Sequence, residues 1–221
     1  MNKTVLITGA SRGIGKACAD KFSQMGYNVL APSRNEMDLS VQESIEQYIS
    51  CLTQPVHVLV NNAGINPLAY IDSINYDDAR RLMNINFWAP VILTSLLAPR
   101  MREIGYGRVV NISSIWSGVT KARRSMYASS KAAVNAFTRT AAVEYGECNV
   151  LVNAVAPGFV NTELTKLNNT AEQIEAIKNQ LPVKRLAEPA EIAELVWFLG
   201  SEKNTIITGQ TIFADGGFSI I

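Results

Sequence analysis

The chain has 221 residues, 48% of them hydrophobic and 18% charged, with a formal net charge of +1 at pH 7. That length suits one domain with a substantial core, and a charge near zero offers no general attraction to nucleic acid or anionic membranes. No uninterrupted apolar run reaches the roughly 18 residues of a membrane span. Cys18, Cys51 and Cys148 lie far apart without metal-ligand spacing, so no metal is expected and the thiols fit a reducing, cytoplasmic setting.

Short β-rich apolar runs alternate with longer runs of helical period, which predicts an α/β fold: a doubly wound parallel sheet with helices on both faces. Strands are expected near 3–8, 27–32, 56–60, 107–112, 149–155 and 210–213. Helices are expected near 13–25, 40–51, 76–103, 126–145 and 189–199, the last framed by Pro189 and Gly200. Arg34 to Asp38 is too short for a strand-crossover-strand connection, which needs roughly a dozen residues. A third strand there is rudimentary or missing.

The first strand runs into Thr8-Gly9-Ala10-Ser11-Arg12-Gly13-Ile14-Gly15. Glycines at a strand-to-helix turn permit positive φ and close approach of a diphosphate, and the helix N-terminus presents free N–H groups. The spacing is a widened variant of the dinucleotide fingerprint, so Gly9, Ser11, Arg12, Gly13, Ile14 and Gly15 are expected to bind a dinucleotide. Ser33 and Arg34 follow the second strand, where a carboxylate would hold the ribose 2′-hydroxyl of NAD(H). An arginine there suits a 2′-phosphate instead, which favours NADP(H) over NAD(H). Asp38 and Leu39 are expected at the edge and face of the adenine.

Asn62, Ala63 and Gly64 in Asn61-Asn62-Ala63-Gly64 end the next strand, where ligands of open α/β sheets bind. Asn86 stands in the apolar run Met83 to Trp88, and a buried amide there needs specific partners. Ser114 follows the strand Arg108 to Ile112, and Tyr127 comes thirteen positions later. Ser113 is the second candidate hydroxyl, because strand alternation turns it the other way. Tyr127 and Lys131 are four apart in a helix-forming run, so the ammonium can sit beside the phenol and lower its pKa toward that of a working acid or base. The connecting loop carries Trp116, Lys121, Arg123 and Arg124. Trp116 and Arg124 are candidate substrate contacts, with Arg124 selecting an anionic ketone or alcohol.

Thr8 to Gly15, Asn61 to Gly64, Asn86, Ser114, Tyr127 to Lys131, Pro157 to Thr162 and Asp215-Gly216-Gly217 together resemble the short-chain dehydrogenase/reductase family over essentially the full chain. The resemblance implies a single Rossmann-like domain over 1–221, with 163–187 as a substrate lid. It also implies that Ser114 polarises the substrate carbonyl and Tyr127 exchanges its proton. Lys131 would hold the nicotinamide ribose, and Asn86 would feed a proton relay. Pro157, Gly158, Val160 and Thr162 would line the nicotinamide.

The family's helix between the second and third strands is absent here. Acyl-carrier-protein reductases are similar, yet the positions where they commonly carry carrier-binding arginines hold Cys148 and Gly105. The resemblance further implies a small carbonyl or alcohol substrate and a homo-oligomer, a tetramer or a dimer. A sugar-nucleotide epimerase or dehydratase would need a longer C-terminal part, and a non-catalytic NADP-binding regulator would not need the proton donor. His57 is read as structural.

Overall fold

The structure, a computed structural model, describes residues 2–220. The sheet has six parallel strands in the order β2-β1-β3-β4-β5-β6. They are β1 (Thr4–Ile7), β2 (Asn28–Leu30), β3 (Val58–Asn61), β4 (Gly107–Ile112), β5 (Val150–Pro157) and β6 (Thr211–Ala214). The strands β3, β4 and β5 are buried along their whole length, which explains their near-continuous apolar sequences. One core lies between the sheet and α2 (Gln42–Ser50), α4 (Ala89–Ile104) and α5 (Ser125–Tyr145). The other lies against α1 (Gly13–Gln24) and α8 (Pro189–Gly200).

The expected single helix over 76–103 is a rod in three parts: α3 (Tyr76–Met83), a π turn at Asn84–Trp88, and α4. Asn75 starts it by accepting hydrogen bonds from the backbone N–H groups of Asp77 and Asp78. The Ala89 N–H reaches back to the Asn84 carbonyl, the wider repeat of a π turn, and such turns recur at functional sites. Tyr76–Ile104 contains a window long and apolar enough on average to cross a bilayer, although Asn84, Asn86, Thr94 and Ser95 interrupt the stretch. Here Leu82, Leu93, Leu97 and Met101 of that rod are buried in the protein interior.

No strand forms between β2 and α2 among the described residues, so β2 is the sheet edge. Met37 fills part of the space, buried in the same core as Ile45, Ile49 and Leu97. Asp38 organises the turn behind it, accepting from the Ser40 N–H at 2.9 Å and the Ser40 hydroxyl at 2.6 Å. These bonds hold its carboxyl below the usual range, with Arg34 adding to them. Replacing Met37 by Ala is expected to lower unfolding free energy by about 2–4 kcal/mol, as for other buried methionines, measured by urea titration.

Candidate active site

The carboxyl ends of β1, β3, β4 and β5 open into one cleft of about 790 Å³. The turn after β1 puts Gly9 and Gly13 at φ 67° and 57°, conformations that side chains resist. A Cβ on Gly15 would stand 2.2 Å from the Gly9 carbonyl oxygen and 2.3 Å from Asn62 Nδ2, so the backbone approach requires glycine. Asn62 donates from Nδ2 to the Thr8 and Gly9 carbonyls at 2.9 and 3.1 Å. The backbone N–H groups of Asn62 and Ala63 both donate to Thr8 Oγ1 at 3.0 Å. This mesh fixes the first turn of α1 against the cleft, and a helix N-terminus bordered by glycine backbone fits a diphosphate.

All the cofactor residues expected from sequence line this cleft, from Gly9 to Gly15 through Ser33, Arg34, Asp38 and Leu39 to Pro157, Gly158, Val160 and Thr162. Arg34 pairs with Asp38 through Nε at 3.2 Å on an exposed surface. Met37, Ile65, Arg81 and Ile85 also line it. The sequence pattern gave no signal for Arg81, whereas the position of Ile85 beside Asn86 offered one.

At the far end, Lys131 is 3% exposed and its Nζ donates to the Ile112 carbonyl at 2.6 Å. Burial holds its pKa down at about 8. Burial also pushes the Tyr127 phenol above its ordinary value, opposed by the neighbouring Ser114 hydroxyl and by the charge of Arg124. The expected lowering of the phenol by Lys131 therefore needs correction. The ammonium is 5.8 Å from the ring centroid and spends its bond on the carbonyl, so the cation that acts on Tyr127 is Arg124.

Ser114 Oγ accepts from the Trp116 N–H at 3.3 Å, while Ser113 donates to the Lys131 carbonyl at 3.3 Å. The two neighbouring serines thus do different work. Asn86 is 1% exposed at the middle of the π turn and grips the Ile65 backbone at both ends, each bond 2.9 Å. Its Nδ2 reaches Ser130 Oγ at 3.3 Å, and Ser130 donates to the Tyr127 carbonyl at 2.8 Å.

Asn86, Trp116 and Arg124 do not line the cleft itself. Asn86 lies beneath it, and Trp116 and Arg124 lie beside Ser114 and Tyr127. Asn61, not singled out from sequence, donates to Asn111 at 2.8 Å within the sheet. No group of three or more His, Cys, Asp or Glu side chains among the described residues is placed to hold a metal ion.

A doubly wound parallel sheet with a glycine-rich diphosphate cradle and a Ser, Tyr and Lys set at its carboxyl edge defines a dinucleotide-dependent oxidoreductase. A family model described as short chain dehydrogenase matches residues 3–51, and one described as Enoyl-(Acyl carrier protein) reductase matches residues 36–219. The chain belongs to the short-chain dehydrogenase/reductase family and is an oxidoreductase acting on alcohol and ketone groups.

It is 34% identical over 240 residues to the 3-oxoacyl-[acyl-carrier-protein] reductase of Vibrio cholerae serotype O1, covering 99% of this chain and 98% of that one. It is also similar to a solved 4-hydroxyisoleucine dehydrogenase complexed with NADH, with a TM-score of 0.94, 29% identity and 99% of each chain covered. A gluconate 5-dehydrogenase from Burkholderia cenocepacia J2315, in complex with NADP and tartrate, superposes with a TM-score of 0.94 at 26% identity, over 99% of this chain and 96% of that one.

The depressed Lys131 pKa has a testable consequence for stability. A lysine whose folded pKa is about 8, below the ordinary 10.5, penalises folding fully below about pH 8, and the penalty fades as pH rises toward 10.5. Lys131→Met is therefore expected to raise the melting temperature at pH 7 and to lose that advantage near pH 10, followed by thermal denaturation across pH.

Proposed function

We propose that the chain is an NADP(H)-dependent oxidoreductase interconverting a small ketone and its secondary alcohol, with Tyr127 as general acid and base. The observation that carries this reading is the convergence of Ser114, Tyr127 and Lys131 where the glycine-bordered cleft ends. The dinucleotide, when bound, supplies or accepts the hydride. Ser114 polarises the carbonyl oxygen with its hydroxyl, and Tyr127 delivers or takes the proton at that oxygen. Lys131 binds the nicotinamide ribose. Asn86 holds Ile65 and the start of α5 in register, and so keeps the relay toward Lys131 in place.

The preference for NADP(H) rests on Ser33 and Arg34, with Arg12 nearby and no carboxylate directly after β2. The Arg34–Asp38 pair is exposed and worth little, so the guanidinium is available to a 2′-phosphate. Residues 163–187 serve as the substrate lid within one domain. They form α6 (Glu163–Asn168) and α7 (Ala171–Gln180), neither with a buried residue. Their ends are pinned together by the Val160–Ala187 bridge and the Asn161 N–H bond to the Ala187 carbonyl at 2.8 Å. The two helices carry no buried residue and the following turn is anchored by the buried Leu181 and Leu186, an arrangement that suits gating by the helices.

A 3-oxoacyl-carrier-protein reductase is the second reading. The Vibrio relative favours it, and Cys148 and Gly105 at the expected carrier-binding positions weigh against it. Trp88, 51% exposed, and Val143, 84% exposed, favour a homo-oligomer, a tetramer by family resemblance. We read the protein as cytoplasmic, with no nucleic-acid or membrane partner.

Two variants test the reading. Tyr127→Phe should lower kcat/KM at least about 10³-fold in an NADPH oxidation assay at 340 nm, while NADPH affinity stays within about threefold. Unchanged turnover of a carbonyl panel would remove Tyr127 from the chemistry. Arg34→Gln should weaken NADPH roughly 10-fold or more by calorimetry and leave NADH nearly untouched.

A further inference from the structure

The loop between Ser114 and Tyr127 carries three cations, and the fold sends them in different directions. Lys121 is exposed. Arg123 adopts φ 70°, lies 5.6 Å from the Tyr70 ring centroid, and lines a separate hollow of about 200 Å³. Arg124 stands at the N-terminus of α5 and turns inward, with Cζ 4.6 Å from the Trp116 ring centroid.

The Arg124 guanidinium is half-buried, and among the described residues no carboxylate lies within ion-pairing distance of it. Burial lowers its pKa, and Tyr127 is the group that works against that shift. A desolvated cation without an anion is costly, and the face of an indole offsets only part of the cost. Beneath it, Trp116 meets Phe159 edge-on at 6.0 Å and Phe218 at 6.4 Å. Phe159 and Phe218 meet each other at 5.3 Å. One charged group therefore tops a small aromatic wall beside Ser114 and Tyr127.

We infer that the substrate is a short keto acid, reduced to its hydroxy acid or formed from it, with its carboxylate bound by Arg124. This rests on the reading of Tyr127 as proton donor. The carbonyl oxygen sits between Ser114 and Tyr127, and the hydrocarbon part lies outside the dinucleotide cleft, against Trp116, Phe159 and Phe218. Arg124 caps α5 and Tyr127 lies in its first turn, three positions on, so a short substrate can reach both. In the reducing direction the hydride from the reduced dinucleotide adds to the carbonyl carbon, the C–O π electrons move to oxygen, and Tyr127 gives its proton there. The hydride carries both electrons, and one proton from solution replaces the one that Tyr127 gives, which completes the hydroxy acid. A planar guanidinium can bind both carboxylate oxygens, which a thioester or ester lacks as a pair of charged acceptors.

The test compares acetoacetate and 2-oxobutanoate with their methyl esters as substrates of the full chain, using NADPH oxidation by wild type, Arg124→Gln, Arg124→Lys and Tyr127→Phe. Thermal melts and NADPH binding verify that each variant is folded. The wild type should favour the acids. Arg124→Gln should lower the acid-to-ester ratio of kcat/KM roughly 10–100-fold, mainly through KM, with Arg124→Lys in between. Esters reduced as well as acids, an equal loss on both in Arg124→Gln, or a preference for dihydroxyacetone phosphate would overturn the keto-acid assignment and leave the role of Tyr127 standing. Full turnover by Tyr127→Phe would instead overturn the reading on which it rests.

Discussion

The bond from the Lys131 ammonium to the Ile112 carbonyl is the contact on which the site depends. It joins the second turn of α5 to the last residue of β4, inside the protein, where a lone cation would otherwise be expelled. Because the cation is buried and its pKa is held low, the protein keeps a strained group at its centre for a purpose other than stability. Fixing Lys131 also fixes Tyr127 one helical turn earlier, over the strand end from which Ser114 follows.

The parallel sheet makes this possible. Strands running the same way bring all their carboxyl ends to one edge, so the glycine turn after β1, Asn62 after β3, Ser114 after β4 and Pro157 at the end of β5 share a cleft although they are far apart in sequence. Within that edge, amides replace apolar packing. Asn62 carries the glycine turn, and Asn86 carries the backbone beyond Gly64 and reaches the start of α5. The π turn is what places Asn86 there, since its extra residue per turn interrupts the regular helix at the point of use.

The shortened edge costs the sheet a strand without opening its core. Met37 seals the gap and Asp38 holds the turn through Ser40 and Ser44, so the dinucleotide-facing loop follows directly from β2. The end of the cleft with Ser114, Tyr127 and Lys131 is unaffected, because it is built on β4, at the middle of the sheet, and on α5.

Much of this was legible in the sequence. Alternating strand and helix periods dictate a parallel α/β sheet, and glycine spacing dictates the turn after β1, because both are local constraints on backbone and solvent. The shortness of Arg34 to Asp38 likewise predicted the missing strand from chain geometry alone. The π turn was not legible, since its bond pattern depends on what Asn86 meets across the cleft. Nor was the electrostatics of Tyr127. Periodicity put Lys131 beside it, but the packed structure turns that ammonium to the Ile112 carbonyl and leaves Arg124 as the charge that opposes the upward shift of the phenol. Sequence spacing determines which groups can meet, whereas burial and competition for hydrogen-bond partners, set only by the folded chain, decide which of them do.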